Sequence, residues 1–185
     1  MERVKENQFT KSLNYQFSKS LNLQINNMKV RVGFGFDVHQ LKDGKEFWLG
    51  GIKVSDTKGA VGHSDADVLI HAICDALLGA AGMRDIGFHF PDTASEFKGI
   101  DSKILLSKVV DSLKKENYTI GNIDCTLVLE SPKINPHIDI MKKTLAPLLN
   151  IDVSDLGIKA TTNEKMGYVG REEGVCAYAV ALIQK

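Results

Sequence analysis

One stretch of this 185-residue chain restricts its fold more than any other: Asp65 to Ala81, DADVLIHAICDALLGAA. Its Ala- and Leu-rich composition predicts a helix. His63, Asp67, His71 and Asp75 recur at four-residue intervals and would stack along one helix face. Ala66, Val68, Leu69, Ile70, Ala72, Ile73, Leu77 and Leu78 cover the other faces. A solvated helix face ordinarily carries Lys and Glu. This stripe carries His and Asp, the side chains of metal ligation and acid–base chemistry, on a helix whose remaining surface asks for a covering layer.

The rest of the chain supplies that layer. Val30 to Val38 alternates, with Phe34, Phe36 and Val38 on one side and Gly33, Gly35, Asp37 and His39 on the other, the period of a strand. Phe47–Leu49 and Ile52–Val54 flank Gly50-Gly51 as a hairpin or bent strand. A second helix is predicted over Ser102–Tyr118, with Ile104, Leu105, Val109 and Leu113 facing inward. A strand follows over Asn122–Glu130, and a helix over Pro136–Leu149, where Pro136 suits the first turn. Strands over Leu156–Thr162 and Val175–Ile183 close the chain. This order predicts an α+β fold, a mixed sheet with helices packed on one face, over residues 28–185.

The first 27 residues read differently. They lack Gly, Pro, Ala and Cys, and NQFTKSLN is followed by the related octad YQFSKSLN. So few copies cannot build a repeat core, and the segment has neither the apolar run nor the cleavage site of a secretory signal. A non-essential extension, with Met28 as the effective start, is the expectation; organelle import is the alternative. Lys plus Arg and Asp plus Glu balance at 23 each, which argues against broad nucleic-acid binding. No apolar run approaches the ~18 residues of a membrane span. Cys74, Cys125 and Cys176 lie far apart in apolar surroundings, as reduced core thiols of a cytosolic-type compartment would.

Several clusters are equipped for chemistry. Asp37 and His39 project from the same side of the first strand, and a third ligand from the His/Asp stripe would make an Asp-His-His set with an open position, the pattern of a catalytic zinc. A carboxylate one turn away on the stripe would then orient the imidazole. Gly33 and Gly35 leave room for a close approach to the strand. They do not start a dinucleotide fingerprint, since position 38 is Val. Ser64, near the expected helix start, offers a hydroxyl beside free backbone N–H groups. Asp85 to Thr93 reads as a turn-rich loop with a His and two acids. Glu130 to His137 closes a strand and opens a helix. Lys159 to Gly174, with paired Thr, Glu164, Lys165 and Arg171 among glycines, is either a polar hairpin or a site for phosphate and a hard cation.

Taken in order, GFGFDVH (33–39), HSDAD (63–67) with His71, DIG (85–87) with FPD (90–92), Pro132-Lys133 and ATTNEK (160–165) resemble the 2-C-methyl-D-erythritol 2,4-cyclodiphosphate synthase family. The match runs through Met28–Lys185. The resemblance implies a homotrimer with active sites between subunits. It implies a reaction in which 4-diphosphocytidyl-2-C-methyl-D-erythritol 2-phosphate cyclises and releases CMP. Zinc ligands map onto Asp37, His39 and His71. A second divalent cation, Mg2+ or Mn2+, maps onto Glu164. Transition-state stabilisers map onto His63 and Thr162. Substrate contacts map onto Ser64, Asp85, Ile86, Gly87, Phe90, Pro91 and Asp92, with Thr161 and Asn163 beside the second cation. The cytidine pocket maps onto Leu129, Pro132, Lys133 and Asn135, and Tyr168 and Arg171 map onto positions lining phosphate or the trimer axis. Phe34 stands where many members have His, Phe88 where Lys is common, and Asn163 where Thr is frequent. Two other functions use the same residues: a metal-dependent phosphodiesterase, and a module binding isoprenoid diphosphates through Phe36, Arg171 and Glu173. A structural zinc would want a fourth protein ligand, for which there is no obvious candidate.

Overall fold

The structure, a computed structural model, describes residues 28–185 and a short stretch at 14–16. The octads of the first 27 residues otherwise lie outside the described residues. Residues 31–184 form one compact unit.

Strand β1 spans Val30–Asp43, longer than its alternation alone indicates. The short strands β2 (Phe47–Leu49) and β3 (Ile52–Ser55) pair as the antiparallel hairpin expected around Gly50-Gly51, and β4 (Lys58–Val61) returns antiparallel to the end of β1. Helix α1 (Val68–Ala81) and the single turn α2 (Ile86–His89) follow, then α3 (Ser102–Lys115) and strand β5 (Thr119–Val128). Helix α4 (Ile138–Leu149), strand β6 (Leu156–Thr161), the turn α5 (Gly167–Gly170) and strand β7 (Gly174–Gln184) complete the chain. The main sheet runs β4-β1-β7-β5-β6, with β5 antiparallel to β7 and parallel to β6. The fold is therefore α+β with a mixed sheet, as expected.

Its core lies between one sheet face and the helices. Ile123, Cys125 and Leu127 of β5 and Val175, Ala177, Ala179, Ala181 and Ile183 of β7 are buried, and α1 packs along β7 and against α3. The glycines of β1 are occupied by this layer. A Cβ on Gly35 would lie 1.9 Å from the Ala72 carbonyl oxygen, and one on Gly33 the same distance from that of Ala76. What approaches the bare backbone is thus helix α1. The opposite face leaves Val32, Phe34, Phe36, Tyr178 and Val180 exposed, with the Phe36 and Tyr178 rings 5.0 Å apart.

Two expectations need correction, and one of two alternatives falls. Helix α1 starts at Val68 because Asp67, fully buried, caps it: one carboxylate oxygen accepts from Ile70 N (3.1 Å) and Gly50 N (2.9 Å), the other from Gly51 N (2.7 Å). His63 and Ser64 therefore lie in the preceding loop, and the four-residue stripe is not one continuous helix face. Ile104 is 48% exposed, and the inward stripe of α3 is Leu105, Leu106, Val109, Val110 and Leu113. The segment between β6 and β7 is not a hairpin, because β5 lies between those strands.

Candidate metal and phosphate site

Side-chain alternation on β1 turns Asp37 and His39 toward α1, and the close contact at Gly35 and Ala72 brings His71, the preceding helix residue, down onto them. Asp37 Oδ2, His39 Nε2 and His71 Nδ1 lie 3.0–3.1 Å from one another. Tetrahedral N and O ligands bound at 2.0–2.1 Å stand about 3.3 Å apart, so this near-equilateral triangle suits zinc with little adjustment. Burial opposes the Asp37 charge, yet the adjoining His39 and His71 rings hold its carboxyl well below the usual carboxylate range.

The back of His71 fixes its tautomer. Ser102, itself fully buried, donates its hydroxyl proton to Asp65 Oδ1 through a short hydrogen bond, and Asp65 Oδ2 accepts from Ser102 N (2.9 Å). Ser102 Oγ is then left to accept from His71 Nε2–H at 2.9 Å, so the Nδ1 lone pair points into the triangle. Ser64 Oγ lies 3.1 Å from the same Nε2 and accepts from Ala66 N. The carboxylate expected to orient the imidazole from the helix stripe is not there: Asp67 is engaged as the cap, and Asp75 accepts from Ile86 N at 2.8 Å. The Asp65–Ser102 pair takes that part from outside the helix. Ser102 escaped the sequence reading because nothing in its spacing links it to a residue 31 positions away.

A cavity of about 470 Å³ opens on the triad, lined by His63, Ser64, Ile86, Gly87, Phe90 and Asp92 together with Phe97, Ile100 and Leu105. It thus collects most of the residues assigned to the catalytic and erythritol contacts. His63 Nε2–H donates toward Ala94 O at 3.4 Å. Asp85 caps α2, its Oδ1 accepting from Phe88 N, and Pro91 is exposed beside the cavity rim. Phe88, in the place of a common Lys, lies under the Arg84 guanidinium, 4.0 Å from its ring centre.

A second cavity of about 100 Å³ is lined by Leu129, Glu130, Pro132, Lys133, Ile134, Asn135 and Ala160 to Thr162. This collects the residues assigned to cytidine, with Thr161 and Thr162 at one side. The two cavities share no lining residue. Thr162 Oγ1 donates to Glu164 Oε1 (3.1 Å), and Glu164 is exposed. Asn163 is turned to its own loop, its Nδ2 donating to Met166 O. The Tyr168 hydroxyl lies 2.8 Å from Cys176 Sγ, a contact that with burial pushes its ionisation up to about 12. Arg171 pairs with Glu173 through two bonds of 3.0 and 2.9 Å. All three cysteines are free and buried.

The family model for YgbB matches residues 30–184. The chain belongs to the YgbB family. Among curated members, 2-C-methyl-D-erythritol 2,4-cyclodiphosphate synthase of Parabacteroides distasonis is 64% identical over 158 residues, 85% of this chain and 98% of that protein. The synthase of Cytophaga hutchinsonii is 63% identical over 158 residues, 85% of this chain and 99% of that protein. Among solved structures, IspF of Plasmodium falciparum in complex with CDP superposes with a TM-score of 0.74 at 34% identity, covering 83% of this chain and 95% of that one. Residues 1–29 lie outside the family match. Among the described residues, no helix is long and apolar enough to cross a membrane.

Proposed function

We propose that the chain converts 4-diphosphocytidyl-2-C-methyl-D-erythritol 2-phosphate into 2-C-methyl-D-erythritol 2,4-cyclodiphosphate and CMP. The observation that carries this reading is the Asp37, His39 and His71 triangle opening on a ligand-sized cavity in a chain 64% identical to a curated synthase of that name. An oxygen of the substrate's 2-phosphate bonds to the β-phosphorus, and the bond from that phosphorus to the oxygen bridging it to the α-phosphate breaks. CMP leaves with the electron pair and no water is consumed, so the reaction class is phosphorus–oxygen lyase.

Asp37, His39 and His71 would hold Zn2+, one per chain, and Glu164 would hold Mg2+ or Mn2+ together with substrate phosphates. When bound, these ions supply Lewis-acid polarisation and neutralise phosphoryl charge, which a chain of zero net charge does not provide by itself. The protein's own part is positioning and charge stabilisation, since the nucleophile belongs to the substrate. His63, donating from Nε2, and the Thr162 hydroxyl stabilise charge on the transferring group. Ser64, the backbone of Asp85–Gly87 and the Phe90–Asp92 segment hold the erythritol. Leu129, Pro132, Lys133 and Asn135 hold the cytosine end, in keeping with the CDP bound by the Plasmodium falciparum relative. Thr161 and Asn163 shape the second-cation loop, and Tyr168 and Arg171 line the end nearer the trimer axis.

The working form is a homotrimer with sites between subunits. Two features support this: the erythritol and cytidine cavities of one chain share no residue, and the sheet face carrying Val32, Phe34, Phe36, Tyr178 and Val180 is uncovered in the single chain. Residues 28–185 are sufficient for activity, with 1–27 a dispensable extension, and the enzyme works in the cytoplasm.

Phosphorus NMR with CMP detection tests the proposal, using full-length protein, substrate, Zn2+ and Mg2+ with a chelator control. Metal-dependent CMP release with a cyclic diphosphate is the expected result. Open-chain phosphates would point to a phosphodiesterase instead. Absence of CMP from folded, metal-loaded protein would leave only a binding module.

A further inference from the structure

We propose that Glu130 is a positioning residue that sets the Glu164 loop against the nucleotide pocket, so that cation affinity at Glu164 depends on a side chain that need not touch the cation. The inference rests on the assignment of Glu164 to the second cation.

The Glu130 side chain is 3% exposed although it sits just beyond the end of β5, at the wall of the smaller cavity. Its Oε1 accepts from the backbone N–H of both Asn163 (3.0 Å) and Lys165 (3.1 Å), and its Oε2 receives Lys165 Nζ at 3.2 Å. Two N–H groups from residues either side of Glu164 thus close on one oxygen. The loop between them bends through consecutive left-handed conformations, φ 50° at Glu164 and 61° at Lys165, which residues with a Cβ rarely adopt unless something holds them. The bend turns the Glu164 side chain outward to solvent and to the Thr162 hydroxyl. Gly170 packs against the back of the same turn, where a Cβ would lie 2.1 Å from the Lys165 carbonyl carbon. Without the Glu130 acceptor, two backbone donors lose their partner and the crest relaxes toward ordinary backbone angles, moving Glu164 away from its place. The Lys165 side chain is 75% exposed, and its ammonium contributes less than the two backbone bonds. Reach, rather than charge, is therefore the property that matters.

The test is a Mn2+ titration of zinc-loaded full-length protein in the presence of CDP, followed by electron paramagnetic resonance, on E130A, E130D and E130Q with E164Q as reference. E130A and E130D, which cannot reach the loop, should weaken Mn2+ binding about tenfold or more. E130Q keeps an amide oxygen at the right length and should stay within about threefold of wild type. Zinc content should be unchanged throughout. If E130A does not fold, E130D against E130Q decides. Wild-type Mn2+ affinity in E130A or E130D overturns the proposal, as does E130D matching wild type while E130Q fails, which would make charge the operative property. Loss of CDP affinity alone would show a mere pocket wall. Failure of wild-type protein to form the cyclic product would overturn the catalytic reading but leave this titration to judge Glu130; failure of wild type to bind Mn2+ would overturn both this inference and the Glu164 assignment.

Discussion

Replacing Gly35 by Ala adds one methyl group at the contact that builds the metal triangle. The new Cβ would lie 1.9 Å from Ala72 O and 2.6 Å from Ala76 N. Ordinary carbon–oxygen contact needs about 3.4 Å, so strand and helix must part by roughly 1.5 Å, an overpacking cost of about 1–3 kcal/mol. Gly35 precedes Asp37 by two residues and Ala72 follows His71, so the separation falls on the ligands themselves. A His71 Nδ1 now 3.0 Å from Asp37 Oδ2 would stand about 4.5 Å away, beyond the ~0.2 Å tolerance of zinc bond lengths. We expect Tm to fall by roughly 2–12 °C at fixed protomer concentration, using about 2–4 °C per kcal/mol for a chain of this size, and zinc affinity to fall by orders of magnitude. Gly79→Ala is the matched control on the same helix. Its Cβ would meet nothing closer than Phe34 O at 3.9 Å, so the gain in helix propensity, about 0.5–1 kcal/mol, should raise Tm by a few degrees and leave zinc untouched. Differential scanning fluorimetry and chelator competition read both quantities. A G35A protein that keeps wild-type Tm and zinc affinity would refute the argument that this glycine seats the helix.

Ser102→Ala should weaken zinc about 10–100-fold in chelator competition while the triad ligands remain; unchanged affinity would reduce the Asp65–Ser102 pair to a structural contact. Asp67→Ala strands three backbone donors and should lower stability by about 3 kcal/mol, with zinc stoichiometry retained at 25 °C because Asp67 caps the helix and does not orient His71; zinc loss in the folded variant would reverse that assignment. Burial pushes the Cys125 thiol up to about 12 and the Cys74 thiol well above its ordinary value. Both should resist an aromatic disulfide reagent at pH 8 until the protein unfolds. The sign follows from the raised values: the folded state keeps the proton longer than the unfolded state, so the thiols cost no stability below about pH 9 and erode it as pH climbs toward 12.

How much of this was legible beforehand differs from residue to residue. Alternation alone placed Asp37 and His39 on one side of a strand, and the stripe offered His71, because ligand geometry within a strand or helix is set by local periodicity. The same periodicity misplaced the start of the helix. Asp67 occupies a regular position in the stripe, but its partners Gly50 and Gly51 come from a hairpin turn 17 and 16 residues earlier, and a cap made by distant donors leaves no mark on spacing. The exposure of Ile104 has a related origin: it stands in the first turn of α3, where the inward stripe is set by Leu105, Leu106 and Val109. The β6–β7 segment looked like a hairpin because its ends are strands close in sequence. The order β7-β5-β6 is decided by the parallel pairing of β5 with β6, a contact between segments separated by a whole helix.

That insertion of β5 has a functional consequence. Because β6 and β7 do not pair directly, the chain between them must pass the end of β5, and it does so against Glu130, the residue two beyond the strand's last. The polar segment 161–174 therefore gains a buried carboxylate to fold around. On the other side of the sheet order, β1 meets α1 through two glycines that hold backbone against backbone. Each half of the site is thus fixed by a backbone contact, one between a strand and a helix and the other between a carboxylate and two amides. Side chains proposed to hold cations and phosphates by electrostatics need such anchoring, since any attraction of Asp37 or Glu164 for a cation would give no rigidity of its own.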